Sequence, residues 1–153
     1  MYIAHSESTN LLKMFTHLGA KVPFYCTGAG KVLLAYLPED IQDYNISKTV
    51  LKRYSKNTLI TAKALKKEFK IIRAQGYALD NEEREEGVTC IAAPIFDSYD
   101  VAIAEISVSG PTYRLKEKNI DYIIKSVILT AEELSFNLGY VKASYGETDS
   151  IKI

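Results

Sequence analysis

Gly76–Gly110, GYALDNEEREEGVTCIAAPIFDSYDVAIAEISVSG, is the stretch whose reading decides the fold. Val88–Phe96 and Val101–Ser109 are apolar runs of strand length around the turn-forming cluster Asp97-Ser98-Tyr99-Asp100, and they read as a hairpin. Their near-continuous apolar character predicts central strands covered on both faces. Tyr77–Asp80 reads as a further strand, joined to the hairpin by a loop carrying Glu82, Glu83, Glu85 and Glu86, which reads as a solvated acidic loop. Polar groups interrupt the segment at Asp80, Cys90, Ser107 and Ser109, where a core strand would ordinarily be apolar.

Upstream, Thr61–Gln75 is the clearest amphipathic helix. Leu65, Phe69 and Ile72 share one face, and Lys63, Lys66, Lys67 and Lys70 lie mostly away from it. Thr61 is placed to cap its start and Gly76 to end it. Gly28–Leu37 reads as a buried helix opened by small residues. Pro38 stands at a favourable first-turn position of a second, short helix, where Glu39 and Asp40 suit the positive end. Tyr2-Ile3-Ala4 reads as the end of a strand, and Leu11–Leu18 as a second strand or an irregular connector. Downstream, Asn119–Leu138 carries a wide apolar stripe from Ile120 to Leu138 and reads as a long closing helix ended by Gly139. From Tyr140 the chain is polar and reads as a loose tail. Helices flanking a mostly antiparallel sheet, with a long C-terminal helix on one face, make an α+β domain of GAF-like layout.

The bulk numbers set bounds. A chain of 153 residues suits one domain with one sizeable core. Nineteen basic and nineteen acidic side chains cancel, so no overall field attracts a polyanion, which argues against a stand-alone DNA binder. Cys26 and Cys90 form no CxxC; the expectation is reduced thiols in a cytoplasmic protein. The opening MYIAHSESTN lacks the apolar core of a signal peptide, and no apolar run is long enough to span a bilayer.

Several residues carry chemistry or packing, and the residues alone leave both open. Gly28-Ala29-Gly30 either lets a helix pack closely on a sheet or offers helix-start amides to an anion. It is not a P-loop: Tyr25 and Val32 stand where that motif needs glycine and Ser or Thr. Ser107 and Ser109 project from one face of a strand, with Glu105 sharing that face, and are either solvated or partnered by a ligand. Asp80 either caps a turn or binds a ligand. Cys90 is either a small apolar wall or a thiol in use. The only histidines are His5 and His17, and no GxSxG or HExxH motif is present. Tyr36, Tyr113 and Tyr122 serve either ordinary packing or a subunit contact.

Four segments line up in order: Pro23–Glu39 (PFYCTGAGKVLLAYLPE), Arg53–Thr61 (RYSKNTLIT), Ile71–Phe96 (IIRAQGYALDNEEREEGVTCIAAPIF) and Ala102–Pro111 (AIAEISVSGP). Together they resemble the effector-binding domain of IclR-type transcription regulators, from about Tyr2 to Tyr140. The resemblance implies a GAF-like α+β domain, spanning 1–140 with a tail over 141–153, that binds a small metabolite, often an organic acid. Its pocket would use the amides of Gly28 and Ala29 and be lined by Asp80, Cys90, Ser107 and Ser109. It implies no catalytic residue, cofactor or metal, assembly into homodimers or homotetramers, and DNA contact only through an N-terminal winged helix-turn-helix domain that these residues do not include. The domain's usual opening helix and first strand also have no counterpart here, which leaves a sheet edge open. Two rival expectations stand beside it: a thiol-dependent enzyme using Cys90, and a pure oligomerisation module.

Overall fold

The computed structural model describes residues 2–10, 18–19 and 21–141. Its core is an antiparallel sheet of β1 (Ala78–Asn81), β2 (Val88–Phe96) and β3 (Ala102–Pro111), in that order. One face carries a single-turn 3-10 helix (Phe24–Cys26), α1 (Gly28–Ala35) and α3 (Ala62–Gln75), with α2 (Glu39–Ser47) between the two helices in sequence. The other face carries α5 (Ile120–Asn137), preceded by the short α4 (Thr112–Glu117). The α+β arrangement is the expected one.

Alternation along the strands divides the core in two. Ala78 and Ala92 face Val32, Leu65, Phe69 and Ile72 of α1 and α3. Ile91, Ala93 and Ile95 face Val127 and Ala131 of α5. β2 is therefore buried on both sides, and it accounts for the continuous apolar run in the sequence. β3 differs from the expectation of a second central strand: among the described residues it pairs only with β2, and it is half-buried, with Ile103 and Val108 exposed.

Local chemistry explains the elements. Thr27 caps α1 through its hydroxyl, which accepts from the Gly30 amide at 3.2 Å and donates to the Pro23 carbonyl at 2.9 Å. Gly30 has no room for a side chain: a Cβ there would lie 2.2 Å from the Phe24 Cα, so glycine lets the 3-10 turn fold back onto the helix. The carbonyls ending α1 are satisfied from outside, Ala35 by Arg73 at 2.6 Å and Leu37 by Gln42 at 2.8 Å. Thr61 caps α3 by accepting from Ala64, and Gly76 closes it at φ 80°. Ser135, on α5, accepts from the Phe96 amide at 2.9 Å and so ties that helix to the end of β2.

Three expectations change. Residues 2–8 form no strand; among the described residues, the one backbone bond they make is from the Gly19 amide to the Tyr2 carbonyl at 2.9 Å. Pro38 is the residue before α2, not its first turn. Tyr140 is not part of a loose tail: its ring stacks on Phe96 with centroids 5.0 Å apart, and its amide donates to Ser135 at 2.9 Å. Residues 11–17, in the expected second strand or connector, and 142–153 lie outside the described residues. The short helix α4 was not expected from the sequence.

Candidate functional site

The face of the sheet beneath α1 carries the polar groups that interrupt the strands. Strand register sets Asp80 opposite Cys90, and Cys90 opposite Ser109, so these three form one row across β1, β2 and β3. Ala78, Ala92 and Ser107 form the next row, and Pro94 and Glu105 the one after. The start of α1 lies directly over this face. A Cβ at Gly28 would meet the Cys90 Sγ at 3.0 Å and the Ala92 Cβ at 3.2 Å. Thr27 takes up the amide of Gly30 with its hydroxyl and that of Lys31 with its carbonyl, leaving Gly28 and Ala29 as the two helix-start donors it does not engage.

An open cleft of 1690 Å³ wraps the edge of β3, lined on one side by α1 and the N-terminal segment and on the other by α4 and α5. Ala29, Ser107 and Ser109 line it, together with Glu105 and Leu33. Ser109 is exposed to the cleft and Ser107 half-buried. Gly28, Cys90 and Asp80 do not line it; they are buried behind it. The structure thus brings the six expected residues to one face of the sheet but divides them into a cleft wall and a buried floor.

The floor has its own electrostatics. Burial pushes the Cys90 thiol up to about 11, against hydrogen bonds from Ser109 and Ser107 that favour the thiolate. Burial likewise raises Cys26 to about 12. In both, burial disfavours the thiolate that a nucleophile needs. Burial also raises the Asp80 carboxyl, opposed by the Glu83 amide, which donates to Asp80 Oδ1 at 2.8 Å, and by the charges of Lys31 and Arg84. Asp80 therefore organises the turn after β1.

Sequence reasoning missed the centre of this floor. Lys31 is fully buried, and its Nζ donates to Glu83 Oε1, to the Leu79 carbonyl at 2.7 Å and to Glu68 Oε1 at 3.2 Å. Glu83 is buried rather than part of a solvated loop, held by Lys31 and by Thr58, whose hydroxyl donates to the Glu83 carbonyl at 2.7 Å. The signal available was a lone lysine inside the apolar run Gly28–Leu37, where a charge needs a partner. Of the three tyrosines considered for a subunit contact, Tyr36 packs edge-on against Phe96, while Tyr113 and Tyr122 are exposed.

The family described as "Bacterial transcriptional regulator IclR C-terminal" matches residues 1–136. The chain belongs to the IclR family. Its relatives include the HTH-type transcriptional regulator KdgR of Escherichia coli, 36% identical over 92% of this chain and 53% of that protein. The crystal structure of the KdgR C-terminal domain superposes with a TM-score of 0.75, covering 85% of this chain and 79% of that one. The HTH-type transcriptional regulator BhcR of Paracoccus denitrificans is 40% identical over 90% of this chain and 50% of its own length. The inducer-binding domain of the PobR transcription factor of Acinetobacter, solved as a double mutant in complex with 3-hydroxybenzoic acid, is 32% identical, with a TM-score of 0.71 over 78% of this chain and 69% of that one. The chain spans about half the length of the curated IclR relatives it matches, and the matched half is the C-terminal regulatory domain of transcriptional regulators. Among the described residues, no helix is long and apolar enough to cross a membrane.

Proposed function

We propose that this domain senses a small carboxylate-bearing metabolite in the cleft between α1 and β3, and that occupancy modulates DNA binding by a separate helix-turn-helix domain of a longer cytoplasmic protein. The carrying observation is the convergence of Ala29, Ser107 and Ser109 on one cleft, backed by Cys90 and Asp80 under the first turn of α1. Helix-start amides at Gly28 and Ala29 and two serine hydroxyls supply donors suited to a carboxylate. The related PobR domain, solved with a hydroxybenzoic acid, supports this class of ligand. Residues 1–140 act as the effector-binding unit in this reading, with 141–153 as a tail.

Sensing requires two arrangements that the ligand binds unequally. Assembly of the domain into a homodimer or homotetramer supplies such arrangements, and the exposed Tyr122, Leu129 and Phe136 along the outer side of α5 favour a self-contact there. The thiol-enzyme reading loses ground because burial holds Cys90 protonated. The test is a thermal-shift screen against small carboxylic, sugar and aromatic acids. A ligand at 100 times its dissociation constant adds about 2.7 kcal/mol of stability. The expected result is a shift from one chemical class, abolished by Ser109→Ala. A folded protein that no class shifts contradicts the proposal.

A further inference from the structure

Glu105 stands in the cleft wall beside Ser107. It is two residues from Ser107 and four from Ser109, so all three project from the same face of β3. Its partner across the sheet is Pro94, which has no N–H to offer. Its Oε2 is buried with no hydrogen-bond partner among the described residues, and the charge of the chain's N-terminal amine acts on the carboxylate. Burial holds this carboxyl above its ordinary range. A buried acceptor with nothing to accept from demands an explanation. The neighbouring carboxylate cannot fill the same role: Asp80 is buried behind the cleft and already accepts from the Glu83 amide. Among the described residues outside the sheet, the half-buried phenol of Tyr2 feels the charges of Cys90, Glu105 and Asp80.

We propose that Glu105 is the specificity-determining residue of the cleft: its free oxygen accepts from a hydroxyl or ammonium group on the ligand, so the site takes monocarboxylates that carry such a donor and turns away matched dicarboxylates. This rests on reading the cleft as the effector site. Two residues of extended strand separate Ser107 from Glu105 by about 7 Å. The donor is accordingly remote from the ligand's carboxylate, as on a meta-substituted ring or at the far end of a short chain, rather than on the adjacent carbon. A second carboxylate at that position would face Glu105 as a like charge.

The test is calorimetry on the 153-residue protein with two matched sets. One is 3-hydroxybenzoate, benzoate and benzene-1,3-dicarboxylate; the other is 5-hydroxypentanoate, pentanoate and glutarate. The expected order in at least one set is hydroxy acid first, by about tenfold over the plain acid and more over the diacid. Glu105→Gln, nearly the same shape and able to donate, should bring the diacid to within about threefold of the hydroxy acid. Hydroxy acid and plain acid binding alike in both sets, or an order unchanged by Glu105→Gln, overturns the assignment to Glu105 while Ser109→Ala still reports on the cleft. No binding by any of the six acids removes the effector reading along with it. Should Glu105→Gln fail to fold, the order measured on the unsubstituted protein decides alone.

Discussion

Lys31 of α1 and Glu83 of the loop after β1 form an ion pair with side chains 0% and 7% exposed, which joins the helix over the candidate cleft to the turn that Asp80 organises. Lys31 also reaches Glu68 of α3, so one ammonium group connects three parts of the floor. Removing only one member leaves an uncompensated buried charge. Lys31→Met is expected to destabilise the domain by about 3–5 kcal/mol, and Lys31→Met combined with Glu83→Leu to recover most of that loss. Urea unfolding of both variants checks the pair. Equal losses in the single and the double variant contradict the account.

These two residues also show where the sequence stopped being legible. The strands, the hairpin and the helix at Thr61–Gln75 are written in local periodicity and in turn and cap residues, and they were readable from it. Residues along one strand face share a side by geometry alone, so Ser107 and Ser109 could be placed together. Lys31 and Glu83 lie 52 residues apart, and no local pattern announces that they meet. A run of four glutamates around Arg84 carries the compositional mark of a solvated loop; Lys31, Ser55 and Thr58, all distant in sequence, draw Glu83 inside. α4 is six residues long, too short for periodicity to stand out. Tyr2-Ile3-Ala4 reads as the end of a strand, but three residues are too short a run to specify one, and residues 2–8 form none.

Cys90 is expected to be a poor thiolate. With its thiol held at about 11, roughly one molecule in 10⁴ is ionised at pH 7. Labelling of the folded protein by a disulfide reagent at pH 7 should be slow at both cysteines and become fast in denaturant. Rapid reaction of Cys90 in the folded state favours the thiol-enzyme alternative.

Stability should respond to pH through Glu105. Its folded carboxyl titrates above its ordinary value of 4.5, so the folded state holds the proton more tightly than the unfolded chain. The resulting stabilisation is fully present below pH 4.5 and is lost as pH rises through the folded value. Glu105→Gln cannot ionise, so its stability relative to the parent should improve as pH rises from 4.5 through the folded value and level off above it. Chemical denaturation at a series of pH values reads this directly, and a difference independent of pH contradicts it.

Two glycines two residues apart should behave differently. Alanine at position 30 would place its Cβ 2.2 Å from the Phe24 Cα, a backbone atom that cannot step aside. The expected loss is about 3 kcal/mol, despite the higher helix propensity of alanine. At position 28 the nearest atom is the Cys90 Sγ at 3.0 Å, a side-chain contact that yields more easily. Thermal unfolding should rank Gly30→Ala well below Gly28→Ala.

The central claim is that small monocarboxylates bind where the first turn of α1 meets β3. The most direct measurement is amide chemical-shift mapping during titration with a panel of such acids. The account expects perturbations centred on Gly28, Ala29, Ser107 and Ser109. No perturbation by any acid, or changes confined to the shallow lysine-lined depression along α3 at Lys63, Lys66, Lys67 and Lys70, would contradict it.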